Sequence, residues 1–472
     1  MYQLSDIKTH NSASDCWIAI HGNVYDVTKF LPDHPGGKAI ILKHAGTDGT
    51  AAFEAVHPRE VLDEYLSLEQ KLGKFEPRPG SHDVAEVTNA DENAPSAPEV
   101  PIHTILSLSE MESLALTRLT PKALSYYASG TDDEITKRAN GTIYRSILLR
   151  PRVFVDCSTS DISTTILGNR VGLPVFVAPA ALAKLAHPAG EAGIASACSG
   201  FGALQIISKN ASLSVPDIVA AGPDAVFAWQ LYVLKDLAAT ERTLATIRRI
   251  PQIKFIVLTL DAPFPGKREA DERFKAHEVA AGTAGKQVWG TEAGLTWETT
   301  LTWLRKHTDL PIVLKGVQTW EDAALAARYF PSVRGVILSN HGGRALDTAT
   351  TPVQVLLEMR RFVPWVFDKL EVFVDGGVRR GTDVVKALAL GARGVGIGRA
   401  ALYGLAVGGE EGVRRTLEIL ADEVATAMRL LGVATVDELR PQHVNTSVLN
   451  PVLYDGPVAA SDLVEDKTRA KL

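Results

Sequence analysis

With 472 residues, 46% of them hydrophobic, the chain has room for two or three domains that each bury a core. Its formal net charge is −6 and its Lys and Arg are dispersed, which argues against a nucleic-acid groove. No apolar stretch reaches the roughly 18 residues that span a bilayer. The three cysteines, Cys16, Cys157 and Cys198, are odd in number and form no CxxC, so reduced and mostly buried thiols are expected.

Met1–His10 is neither an apolar signal core nor an Arg-rich leader. No targeting segment is therefore visible, and a cytoplasmic protein is expected, or one of the mitochondrial intermembrane space if a presequence was removed. The first informative motif is Asp33-His34-Pro35-Gly36-Gly37, with His57 following 23 residues after His34. Pro35 and the glycines predict a tight turn that holds His34 at its tip. Lys38–His44 and a segment from Thr50 have helical character. Two imidazoles from neighbouring helical hairpins can close on opposite faces of a haem. Both axial positions are then filled, and the chemistry left is one-electron transfer.

These residues, with Ser14-Asp15-Cys16-Trp17-Ile18 and Val24–Leu31, resemble the cytochrome b5 haem-binding domain from about Leu4 to Phe75. The resemblance implies a small α+β domain over 1–79 and a haem b ligated through its iron by His34 and His57. His44 falls outside the pattern and is expected at the surface. Composition then shifts at Gly80–Pro101, rich in Ala, Pro, Asp, Glu and Asn, which predicts a flexible linker over 80–101.

After the linker, helices are expected over Leu108–Leu116 and Pro121–Ala128. Eight short apolar runs follow: Val175–Ala180, Leu204–Ile207, Ala225–Trp229, Phe255–Leu258, Ile312–Leu314, Val336–Leu338, Val372–Val374 and Val395–Ile397. Such runs suit parallel strands buried on both faces, and the helical segments between most of them make βα units. Nearly every run ends in a residue able to do chemistry. That pattern describes a (β/α)8 TIM barrel over 102–456 with its active site at the strand C-termini. The polar stretch from Tyr454 on predicts a C-terminal tail over 457–472, frayed or packed on another subunit.

The loops divide the chemistry. Asp375-Gly376-Gly377-Val378-Arg379 and Gly398-Arg399 close the seventh and eighth runs, where barrels bind phosphate through glycine-freed N–H groups and a helix N-terminus. Thr382 or Asp383 is expected to cap the following helix. The spaced glycines of Gly394–Gly398 lie within the last strand, which rules out a dinucleotide fingerprint. Lys315, after a buried run, can neutralise negative charge on a reduced cofactor ring. His341 is a candidate general base and Arg344 a carboxylate clamp on the same glycine-loosened loop. Asp261 can orient the imidazole, and the Tyr232 hydroxyl can bind a substrate oxygen. Together they suggest oxidation of a carbon bearing both hydroxyl and carboxylate.

From about Ser125 to Gly432 the chain resembles the FMN-dependent 2-hydroxy acid dehydrogenases and oxidases. The matching stretches include Tyr126–Gly130, Ala178–Ala181, Gln230–Val233, Leu258–Pro263, Leu314–Val317, Ser339–Asp347, Val374–Asp383 and Gly396–Arg399. The resemblance implies His341 as base with Asp261, Arg344 and Tyr126 on the substrate carboxylate, and Tyr232 on its hydroxyl. It implies Ala180, Ala181, Ser208, Gln230, Thr259 and Lys315 along the isoalloxazine. Asp375, Gly376, Gly377, Arg379, Gly398 and Arg399 then hold the ribityl phosphate, and Arg268 is a second active-site arginine.

The expected reaction is oxidation of an L-2-hydroxy acid, L-lactate to pyruvate first, with electrons leaving through haem to cytochrome c. The alternatives are an oxidase using dioxygen, or a dehydrogenase for another acid such as mandelate. Family likeness also implies a homotetramer. Two features depart from the pattern: Asn210 replaces an apolar residue facing the substrate side chain, and the segment around Arg273–Leu295 is short.

Overall fold

The computed structural model describes residues 1–34, 37–76, 100–280 and 290–456. The expected turn at Pro35 and Gly36, most of the linker and the tail from 457 lie outside the described residues. Two compact units result: Met1–Ile105 with Arg273–Gly290, and Leu106–Glu272 with Thr291–Leu472.

The first unit is built on a four-stranded antiparallel sheet in the order Asn11–Ser12, Asp15–Ile20, Asn23–Asp26, Lys71–Lys74. The central hairpin turns on two residues, His21 and Gly22, with φ of 49° and 67°. Two successive positive φ values are what a type I′ turn requires, and its twist matches that of the strands. Strand alternation sends Cys16, Ile18 and Ile20 to one face, against Val27, Leu31 and Leu62. Ala19 and Val24 pack on the other face with Ile7 and Phe75. Short helices at Lys38–Lys43, Thr50–Glu54 and Val61–Tyr65 follow in sequence. His44 is half-buried, not at the surface as expected. It closes the helix at Lys43, where a Cβ built on Gly49 would lie 3.5 Å from its own.

The second unit is a closed, all-parallel eight-stranded barrel. Its strands are β1 (Val175–Val177), β2 (Leu204–Ile207), β3 (Val226–Leu231), β4 (Ile253–Thr259), β5 (Ile312–Val317), β6 (Val333–Leu338), β7 (Glu371–Asp375) and β8 (Gly394–Ile397). Each pairs with the next, and β8 pairs with β1. All eight apolar runs are strands. The first stops at Val177, short of Ala180, as Pro179 has no N–H to give the ladder.

Inward-facing residues fill the barrel as layers: Phe176, Leu204, Ile206, Phe255, Val257, Val313, Ile337 and Phe373 form one cluster. The hairpin Thr164–Ile166 with Asn169–Val171 adds Ile166 and Val171 to the same cluster. Truncating a phenylalanine in such a core costs about 3–5 kcal/mol. The β8 glycines serve this packing: a Cβ on Gly396 would lie 2.7 Å from the Phe176 ring. Among the described residues no helix is long and apolar enough to cross a membrane. Cys16 and Cys198 are buried as expected, whereas Cys157 is exposed.

Candidate functional site

In the first unit the His34 and His57 rings face each other with centroids 6.1 Å apart and planes at 71°. Metal–imidazole bonds are roughly 2 Å long, so two of them plus a half-ring on each side fill that gap. His34 Nδ1 donates to the Gly37 carbonyl at 2.9 Å, which leaves Nε2 as the ligating atom. Burial, and then the neighbouring His34, pull His57 down to about 4. Burial also holds His34 below the usual range. Both imidazoles are therefore neutral at physiological pH, the form that ligates iron. Phe30 stands 5.8 Å from His34 and Phe53 5.2 Å from His57, walls that the histidine spacing did not reveal.

At the barrel mouth, β6 runs into Ser339-Asn340 and then three successive left-handed residues, His341, Gly342 and Gly343, with φ of 59°, 67° and 74°. A non-glycine residue in that region costs of order 1–3 kcal/mol. The curl is held by His341 N–H donating to Ser339 Oγ at 3.1 Å and Gly343 N–H donating to Asn340 Oδ1 at 3.2 Å. It brings His341 Nδ1 to 2.9 Å from Asp261 Oδ1, at the end of β4. Burial would raise the Asp261 carboxyl, but His341 and Lys315 outweigh it and hold the group below the usual carboxylate range.

Lys315, on β5, is fully interior. Its Nζ donates to Ser339 Oγ at 2.9 Å and lies 3.4 Å from Asp375 Oδ2. Burial opposes its charge, yet Asp375 and Asp261 hold it above the usual lysine range. The second oxygens, Asp261 Oδ2 and Asp375 Oδ1, are buried and without a hydrogen-bond partner. Two orphaned acceptors beside an ammonium suit a ligand that brings hydroxyl donors and an electron-rich ring.

Arg344 reaches outward from the His341 loop, its guanidinium donating to the carbonyls of Tyr126 and Ser129 at 2.8 Å each. Burial, and then Arg268, lower Arg344 to about 10, which still leaves it charged. Arg268 and Arg344 lie 5.5 Å and 5.4 Å from the centre of the Tyr126 ring. Burial, and then Asp261, push the Tyr232 hydroxyl up, so it stays protonated and able to donate. The six candidate catalytic residues therefore gather at one end of the barrel.

The candidate cofactor residues form a second tier. Ser208 Oγ donates to Gln230 Oε1 at 3.2 Å, and Gln230 Nε2 to Thr259 Oγ1 at 3.1 Å, a relay across β2, β3 and β4. Ala180 and Ala181 follow β1, half-buried. Gly376 and Gly377 have φ of 94° and 76°, and the helices Gly381–Ala389 and Arg399–Leu431 start just beyond β7 and β8. The Gly376–Gly377 turn and the start of the helix Arg399–Leu431 offer N–H donors as a cradle for a phosphate, whereas Gly381 N–H at the other helix start is taken by Glu423. Asp383, not Thr382, caps the first helix, accepting from the N–H groups of Arg379 and Arg380 at 3.1 Å. Arg399 donates to the Gly342 carbonyl at 2.8 Å, tying the cradle to the His341 loop. Arg379 pairs with Glu112 at 2.6 Å, an acid that no motif singled out. The site thus fits FMN as the His34–His57 gap fits haem.

Comparison with known proteins agrees. Residues 115–446 match the FMN-dependent dehydrogenase family, and residues 3–76 the cytochrome b5-like heme/steroid binding domain. "L-lactate dehydrogenase (cytochrome)" of Saccharomyces cerevisiae is 40% identical over 98% of this chain and 84% of its own length. Glycolate oxidase 3 of Arabidopsis thaliana is 38% identical over 72% of this chain and 96% of its own. An Arg-to-Lys mutant of flavocytochrome b2 superposes with a TM-score of 0.69 at 40% identity, covering 78% of this chain and 94% of that one. The chain belongs to the FMN-dependent dehydrogenases, with a cytochrome b5-like haem unit ahead of the barrel, and its cofactors are FMN and a b-type haem.

Proposed function

We propose that the protein oxidises an L-2-hydroxy acid, L-lactate to pyruvate first, and delivers the electrons singly to an external acceptor such as cytochrome c. The observation that carries this reading is the coexistence of two centres in one chain: the facing His34–His57 pair and the His341–Asp261 pair beside Lys315. Bound FMN supplies the two-electron sink and bound haem the one-electron carrier. The similar yeast protein is named "L-lactate dehydrogenase (cytochrome)", which supports this reading.

The residues divide the work. Arg344, with Arg268 and Tyr126 beside it, holds the substrate carboxylate. One guanidinium nitrogen is already committed to backbone carbonyls, so the side chain is pre-set before substrate arrives. The Tyr232 hydroxyl orients the substrate hydroxyl. His341 takes up the proton, whether the hydrogen on carbon leaves as a proton or as a hydride, and Asp261 stabilises the resulting imidazolium. Lys315 offsets negative charge gathering beneath the substrate. Gly376, Gly377, Arg379, Gly398 and Arg399 hold the ribityl phosphate, and Asp375, beside Lys315, accepts from a ribityl hydroxyl. Ala180, Ala181, Ser208, Gln230 and Thr259 line the flavin ring. We further assign the protein a homotetrameric state, by likeness to its family.

Anaerobic mixing with L-lactate tests the reading. Flavin and haem absorbance should both change within turnover, and added cytochrome c should be reduced. Haem that stays oxidised, with peroxide formed at each turnover in air, would overturn it in favour of an oxidase.

A further inference from the structure

Asn140 lies in the helix Ile135–Thr142, outside the barrel, in a segment with no chemical motif. It is 1% exposed, as is Asn340, the residue just before His341. The two side-chain amides pair reciprocally: Asn140 Nδ2 donates to Asn340 Oδ1 at 2.7 Å, and Asn340 Nδ2 to Asn140 Oδ1 at 2.8 Å. Asn340 uses its remaining capacity on the catalytic loop, accepting from Gly343 N–H at 3.2 Å and donating to the Thr350 carbonyl at 3.1 Å. Both donor and both acceptor positions of that amide are therefore filled only while Asn140 is present.

The other side of Asn140 faces the glycine turn after β7. A Cβ on Gly377 would stand 2.0 Å from the main-chain carbonyl oxygen of Asn140, and one on Gly376 would stand 3.3 Å from its side-chain Nδ2. Asn140 is thus the shared wall between the loop of His341 and the turn Gly376–Gly377. The same helix is bound to the loop at a second point: Asp347 accepts from the N–H groups of Ile135 and Thr136 at 3.1 and 2.7 Å, capping the helix from 211 residues away. The helix is fixed to the loop at its start by Asp347 and near its end by Asn140.

We infer that Asn140 is a positioning residue that sets the base loop and the phosphate turn in register, so that flavin binding and base alignment share one polar lock. This rests on the proposed roles of His341 and of the Gly376–Gly377 turn. Losing Asn340 strips both polar atoms of Asn140 of their partner, and losing Asn140 leaves Asn340 Oδ1 and Nδ2 with one partner each in place of two. A shift of the His341 loop by a fraction of an ångström then slows the chemical step.

The test uses the full-length holoprotein with Asn140→Ala, Asn340→Ala and the double variant. FMN dissociation is followed by flavin fluorescence, and flavin reduction is timed with L-lactate and with its C2-deuterated form. Asn140→Ala should weaken FMN binding roughly tenfold and, at saturating FMN, slow flavin reduction roughly ten- to hundredfold with an unchanged or larger isotope effect. KM should change less than the reduction rate, and the double variant should be no worse than the poorer single one. Wild-type FMN affinity, a wild-type reduction rate at saturating FMN, or additive losses would each overturn the lock. If Asn140→Ala does not fold, Asn140→Asp keeps the volume and the acceptor but removes the donor, and carries the same expectations. The haem spectrum reports folding of the first unit independently. If the wild type itself reduces no flavin with hydroxy acid, the proposed function fails, while the FMN affinities still decide the inference.

Discussion

His341 and Asp261 stand 80 residues apart in sequence, yet their Nδ1 and Oδ1 atoms meet at 2.9 Å, and Asp261 spends only that one oxygen on a protein partner. The carboxylate is kept ionised by His341 and by Lys315, in spite of burial. Its charge therefore sits where an imidazolium forms, and the hydrogen bond leaves Nε2 free as the base.

Asp261→Asn tests that arrangement. The amide can present N–H to Nδ1 and force the opposite tautomer, leaving Nε2 protonated and unable to accept. The rate of flavin reduction should fall by about 10³–10⁴, with flavin and haem spectra intact. A loss smaller than tenfold would remove Asp261 from this role. The acid limb of stability tests the sign. Because the folded pKa is lowered, the contribution is complete above the unfolded value near ~3.9 and is lost as pH falls through the folded one. The Asn variant should lack that part of the acid transition.

Lys315→Met leaves two buried carboxylates, Asp375 and Asp261, without the ammonium that faces them. Breaking a buried pair from one side costs about 3–5 kcal/mol, to be read in urea unfolding followed by tryptophan fluorescence. The folded pKa of Lys315 is raised, so its contribution is complete below the unfolded value near ~10.4 and fades as pH rises through the folded one. The gap in stability between wild type and variant should therefore narrow only at strongly alkaline pH. A gap that opens instead as pH rises would contradict the ion pairing.

All eight strands were legible because each is an apolar run buried on both faces, and the polar residues after them marked one end of the barrel. Lys315 stands directly after such a run, and His341 and Arg344 lie on the glycine-loosened loop that follows another. Asn140 and Glu112 carry no such mark. Their partners lie far along the chain, as with Asn140 and Asn340, 200 residues apart. A polar residue in a short helix gives no local sign of what it meets. The Arg379–Glu112 pair shows the same limit, since spacing placed Arg379 in the cradle but could not supply the acid from the helix Leu108–Arg118.

His57→Ala separates the two centres. With one of the two rings, 6.1 Å apart, gone, a bound haem would keep only the His34 imidazole. The paired-histidine haem spectrum and cytochrome c reduction should both disappear. Flavin reduction by L-lactate, measured anaerobically, should stay within about twofold, because no group of the barrel mouth has changed. Cytochrome c reduction at the wild-type rate would mean that electrons leave by another route.

Asn210 is expected to bias the choice of acid. Its backbone is pinned on both sides: its N–H donates to Ser208 Oγ at 3.2 Å and its carbonyl accepts from Leu182 N–H at 3.0 Å. The side chain is exposed, so a substitution there changes side-chain chemistry without moving the loop. An amide offers hydrogen bonds that the methyl group of lactate cannot use, and it favours acids carrying a polar group further along. Asn210→Leu should therefore raise kcat/KM for L-lactate relative to polar, longer 2-hydroxy acids by roughly tenfold, in line with the worth of a few apolar contacts in a pocket. Equal ratios in wild type and variant across a panel of lactate, glycolate, mandelate and longer acids would place this side chain away from the bound substrate.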